Sequence, residues 1–127
     1  MYLRYESCVP NPRGLFPGVY ALANGLARAG KLTESEYRQW KETNELLDAA
    51  YVSPTVYQKL PDDALTSWYI EDSAPQLLES VGFYTDLLDA YNIPWRQVRS
   101  ANPGEVVYRD DVQVVVRPFS YQQYWAL

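Results

Sequence analysis

The sequence predicts an α+β domain: three to four helices packed on one face of a small, mostly antiparallel sheet, built from an N-terminal strand and a C-terminal β-meander. Alternating residues open the chain, helical periodicity with capping signals fills its middle, and valine-rich runs separated by turn residues close it. The 127 residues suit a single domain, 1–127, in which 118–127 form an aromatic tail.

Leu3 and Tyr5 alternate with Tyr2, Arg4 and Glu6, as in a strand with one buried face. "VPNPRGLFPG" (Val9 to Gly18) holds three Pro and two Gly in ten residues and reads as loop. "VYALANGLARAG" then places Val19, Leu22, Leu26 and Ala29 at helical spacing, with Gly30 as its stop. Thr33 and Glu36 form a capping box, with Leu32 and Tyr37 as a hydrophobic staple around it. The helix that follows carries Tyr37, Trp40, Leu47 and Tyr51 on one stripe, with a polar gap at Thr43 and Asn44. A short link between these two helices implies an antiparallel helical hairpin.

"VSPTVYQKLPDD" is a connector with a turn of helix, and Asp62 is expected to cap a short helix carrying Leu65, Trp68 and Tyr69. Ser73 and Gln76 make a second capping box, with Pro75 in the first turn, where its missing N–H costs little. Leu77, Leu78, Val81, Tyr84, Leu88 and Tyr91 share the apolar face of that helix, and Asn92 before Pro94 ends it. "WRQVRS", Val106 to Arg109 and Val112 to Arg117 read as three strands, the first two joined by "NPG". Across the last hairpin Tyr108 is expected opposite Val112, and the opening strand is expected beside the final one.

Composition narrows the chemistry. The chain contains no His, which removes the commonest general acid/base and metal ligand. The one cysteine, Cys8, has no partner for an intramolecular disulfide and cannot build a Cys-rich zinc site, so no metal and no cofactor is expected. "MYLRYESC" lacks the basic start and apolar run of a signal peptide, and no apolar stretch approaches the roughly 20 residues of a membrane span. A reducing cytoplasm and no membrane are the expectation. Tyrosine is abundant, at 12 residues, beside 4 Trp and 3 Phe, and suits half-buried or partner-binding surfaces.

Net charge is −5, unevenly placed. Between Lys59 and Arg96 lie Asp62, Asp63, Glu71, Asp72, Glu79, Asp86 and Asp89 with no Lys or Arg, a local charge of −7. The remainder, with 11 basic and 9 acidic residues, carries +2. Direct nucleic-acid binding needs clustered cations, so the expected partner is instead another protein with a basic surface.

Four stretches compete for function. Asp110 and Asp111 beside Arg109 would suit a metal or acid/base site, but lack further carboxylates and a nearby Lys. A hairpin turn is the better reading. The loop from Pro10 to Gly18 resembles an anion cradle in outline, with Arg13, Gly14 and Gly18 as candidate ligand-binding residues; it lacks P-loop and G-x-G-x-x-G spacing. Asp72, Glu79 and Asp86 lie seven apart on one helical stripe, with Asp89 one turn beyond Asp86. The tail "FSYQQYWAL" places Tyr121, Tyr124 and Trp125 in an uncharged run that would cover its own domain, a partner or a second subunit as a homodimer.

"MYLRYES" with "VPN" after Cys8, "VYALANGLARAGKLT" and "VVYRDDVQVVV" together resemble a group of small bacterial and phage-borne proteins without assigned function. The resemblance implies a cytoplasmic single domain associated with mobile elements, and assigns no functional residue. The leading expectation is a non-catalytic protein–protein interaction module. Its acidic helix (Asp72, Glu79, Asp86, Asp89) and aromatic tail would engage a basic, nucleic-acid-handling partner, as a phage or mobile-element inhibitor does. The competing expectation is a small-molecule binder or small enzyme using the loop 10–18.

Overall fold

The structure, a computed structural model, describes residues 1–51, 53–60, 64–71, 73 and 75–119, with the backbone alone for 75–78. Strand β1 (Tyr2–Ser7) leads to helices α1 (Val19–Arg28), α2 (Glu34–Ala50) and the single-turn α3 (Val56–Lys59). Strand β2 (Thr66–Ile70), helix α4 (Pro75–Ala90) and strands β3 (Trp95–Ser100), β4 (Glu105–Arg109) and β5 (Gln113–Arg117) complete it. The class is α+β, with four helices and a five-stranded sheet of order β3-β1-β2-β5-β4. The pairs β1·β2, β2·β5 and β4·β5 run antiparallel.

Three expectations require correction. Leu65, Trp68 and Tyr69 do not share a helix: Thr66–Ile70 is the strand β2, and the proposed cap Asp62 lies outside the described residues. The i, i+3, i+4 spacing was outweighed by β-favouring Thr, Trp, Tyr and Ile, and by a partner strand 46 residues away that pairs Trp68 with Val114. Strand β2 also separates β1 from β5, so β1 lies between β3 and β2 rather than beside β5. Finally, Tyr108 stands opposite Val115 and not Val112, because Asp110 to Gln113 form the turn and the innermost pair is Arg109 with Val114; a register shift between Val106 and Tyr108 lies further from the turn.

The chain forms two compact units. The first comprises Met1–Arg4, Pro54–Pro75 and the chain from Gln97 on. Its centre is β5, where Gln113 to Val116 are all buried, as in a strand covered on both faces. Trp68, Val114 and Val116 form its apolar cluster, with Tyr2 and Val98 packed against them. The β4–β5 hairpin closes on Asp110, whose Oδ1 accepts from the amides of Val112 (2.9 Å) and Gln113 (3.0 Å). Asp110 Oδ2 accepts from the Tyr108 hydroxyl at 2.9 Å and from Gln113 Nε2 at 3.1 Å. "RDD" is therefore a turn held by one aspartate, as its residue types predict. At the other end of the hairpin, a Cβ on Gly104 would lie 2.4 Å from the carbonyl oxygen of Arg117, so only glycine fits.

The second unit comprises Tyr5–Ser53 and Gln76–Arg96. Val19, Ala23 and Leu26 of α1 meet Val81, Tyr84, Leu87 and Leu88 of α4, with Trp40 and Leu47 of α2, Tyr5 and Trp95 packed around them. Full burial of a side chain such as Leu88 contributes about 1.5–3 kcal/mol. The Thr33–Glu36 capping box and the stops at Gly30 and Asn92 form as predicted. Thr33 Oγ1 accepts from Glu36 N at 3.1 Å while Glu36 Oε1 accepts from Thr33 N at 2.8 Å. Gly30 (φ 71°) ends α1 with Lys31 N donating to Leu26 O, and Asn92 (φ 58°) ends α4 with Ile93 N donating to Leu88 O. Pro75 opens α4; the side chains of Gln76, Leu77 and Leu78, and with Gln76 the capping box expected with Ser73, lie outside the described part of the structure.

Candidate functional site

Helix α4 has two unlike faces. Val81, Tyr84, Leu87 and Leu88 recur at helical spacing and are buried, which fixes the rotation of the helix and turns Glu79, Asp86 and Asp89 to solvent. Glu79 and Asp86 are two turns apart, roughly 10 Å along the axis at 1.5 Å per residue. Neither forms a hydrogen bond or ion pair with another described residue, and α4 contains no Lys or Arg. Asp89 differs: its Oδ1 accepts from Trp95 Nε1 at 2.8 Å, which ties the end of α4 to β3. Asp72, Tyr121, Tyr124 and Trp125 lie outside the described residues.

The placement of Asp89 opposes the helix field. Asp89 stands in the last turn of α4, where the negative end of the macrodipole disfavours a carboxylate by about 0.3–1 kcal/mol; Asp86 precedes that turn. The Trp95 N–H offsets part of this for Asp89; among the described residues no such donor serves Asp86. Stability of the helix does not explain these charges.

Beside α4, a recess of about 420 Å³ is lined by Leu46, Leu47, Ala49 and Ala50 of α2 and by Glu79 and Ser80 of α4. Leu46 is 72% exposed at its edge. Sequence reasoning missed this residue, although a signal exists: Leu46 stands off the stripe of Tyr37, Trp40, Leu47 and Tyr51, so the core has no use for it.

The loop 10–18 is built differently from an anion cradle. Asn11 Oδ1 accepts from the amides of Arg13 and Leu15, both at 3.0 Å, and Asn11 O accepts from Gly14 N at 2.9 Å. Three successive amides are thus directed at Asn11, and Gly14 supplies the left-handed turn (φ 77°) that allows it. The Arg13 side chain is exposed, and Gly18 is the residue before α1, with no side-chain cap.

Two polar constellations unforeseen in the sequence hold the second unit together. The fully buried Glu6 pairs with Arg96, whose Nε and Nη2 donate to Glu6 Oε2 at 3.1 and 2.5 Å. The guanidinium also lies 4.6 Å from the centre of the Phe16 ring. Among the helices, Trp40 Nε1 (2.9 Å) and Asn44 Nδ2 (3.1 Å) donate to Asn24 Oδ1, and the Tyr84 hydroxyl donates to Asn44 Oδ1. Asn44 is the polar gap in the α2 stripe, and its partner on α4 explains the gap.

Titration shifts follow the same structural contacts. Burial, helped by the charge of Asp48, pushes Tyr84 up to about 12. Glu36 is held below the usual carboxylate range, first by the Tyr91 hydroxyl, which donates to it at 2.5 Å, and then by the Thr33 amide. The same contact raises Tyr91. Burial opposes the charge of Asp110, but the donors of Val112, Tyr108 and Gln113 together hold its pKa below the ordinary value. Among the described residues no three His, Cys, Asp or Glu side chains come together as a metal site, and no helix is long and apolar enough to cross a membrane.

Comparison with known proteins returned no match, whether among family models, curated proteins or solved structures.

Proposed function

We propose that this chain is a non-catalytic protein–protein interaction module that engages a basic protein surface through the acidic face of α4. The carrying observation is the pair Glu79 and Asp86: exposed, two turns apart on one helix, and without a cation among the described residues. Carboxylates kept at a site where they do not stabilise the helix are explained by a cationic partner that neutralises them. A basic channel in a nucleic-acid-handling protein is a surface of this kind. By occupying it the chain would act as an inhibitor, as in a phage or mobile-element setting.

Affinity capture tests the reading, with the full chain immobilised beside its Glu79→Lys/Asp86→Lys variant and retained proteins identified by mass spectrometry. A basic protein held by the native chain, released by salt and absent from the variant is the expected result. Equal retention by both chains overturns the proposal.

A further inference from the structure

We infer that the recess between α2 and α4 is the docking groove for a basic amphipathic helix of the partner; this rests on the acidic-face reading and specifies it. The recess holds about 420 Å³ and offers Leu46, Leu47, Ala49 and Ala50 as its apolar surface. Leu46, 72% exposed, has left the core stripe, and small Ala49 and Ala50 leave room for the side chains of an incoming helix.

Charge selects the occupant. From Glu42 to the end of α2, and along all of α4, the chain carries Glu42, Glu45, Asp48, Glu79, Asp86 and Asp89 and no Lys or Arg. Glu42 precedes Leu46 by one turn, Glu45 precedes Ala49 by one turn, and Glu79 lines the recess itself. An apolar trough with Glu79 on its lining, between two helices whose only charged residues in these stretches are carboxylates, complements a helix with apolar residues at i, i+3, i+4 and i+7 and Lys or Arg along both flanks. A second copy of the chain, with net charge −5, would bring like charges together, and the uncharged segment 120–127 gains nothing from these carboxylates.

The test uses the full chain and two synthetic probes of about 18 residues, or five helical turns. One probe is a labelled Leu/Lys peptide with a continuous apolar face, and the other is a permutation of the same composition without that face. Fluorescence anisotropy is expected to show the amphipathic probe binding about tenfold or more tighter than the permuted one. Leu46→Glu, at an exposed position, removes that preference, Leu46→Ala reduces it, and Glu34→Lys at the far end of α2 leaves it intact. Equal affinity for the two probes, lost on Glu79→Lys/Asp86→Lys, overturns the groove while leaving the acidic-face reading standing. Absence of salt-dependent binding to either probe overturns both. If Leu46→Glu alone dissolves a dimer seen by light scattering, or shifts Trp emission without any probe, then a second copy or the segment 120–127 is the occupant, and the inference fails.

Discussion

Breaking the Glu6–Arg96 pair is expected to cost far more than the loss of two hydrogen bonds. Glu6 is fully buried and Arg96 retains 20% side-chain exposure, so the two single variants are not equivalent. Arg96→Leu strips the guanidinium from a carboxylate that cannot reach water, a cost of about 3–5 kcal/mol. It also removes the cation over Phe16, about 0.5–1 kcal/mol more. Glu6→Leu leaves a cation that partly retains solvent, and is expected to cost about 2–3 kcal/mol. The double variant removes both charges of the pair together and is expected to lie within about 2 kcal/mol of native. Urea unfolding of the four proteins, with the denaturant slope checked for constancy, gives the coupling directly. Additivity of the two single effects within about 0.5 kcal/mol would show that the charges do not depend on each other, contrary to the geometry.

Other outcomes follow from single contacts. Gly104→Ala drives a Cβ into the Arg117 carbonyl and is expected to cost about 3 kcal/mol, the upper end of overpacking, read as a lowered urea midpoint. Asp110 has a depressed folded pKa, so its contribution is present above the unfolded value near 3.9 and fades as pH falls through the folded one. Asp110→Ala should lower stability at neutral pH and flatten that acid dependence; Asp110→Asn, which keeps an acceptor, should flatten it with a smaller loss. Tyr84 has a raised folded pKa, so its contribution is present below pH 10 and is lost as pH rises through about 12. Tyr84→Phe is expected to cost about 1 kcal/mol through the lost bond to Asn44 and to weaken the alkaline unfolding between those values.

What could be read in advance was local chemistry. The Thr33–Glu36 box, the stops at Gly30 and Asn92 and the Asp110 turn depend on residues within a few positions of each other, and each formed as its residue types require. Long-range pairing was not legible. Trp68 reads as helical beside Leu65 and becomes a strand residue because Val114 lies across from it. Glu6 and Arg96 are 90 positions apart, and nothing near either residue announces the other. For the candidate site, periodicity placed Glu79 and Asp86 on the exposed face correctly, because the apolar stripe fixes the rotation of α4. The same periodicity could not show that Asp89 is engaged by Trp95, or that Leu46 borders a recess, since both depend on a neighbouring element.

The most direct test of the acidic-face account is the affinity of the native chain and of Glu79→Lys/Asp86→Lys for the same captured basic protein, measured by calorimetry at low and high salt. Each exposed charge pair contributes about 0.2–1 kcal/mol, and reversal replaces attraction with repulsion at two positions. The account predicts a Kd weaker by about tenfold or more at low salt, with the gap narrowing as salt rises and both proteins equally folded by circular dichroism. An unchanged Kd, or a gap indifferent to salt, would contradict it.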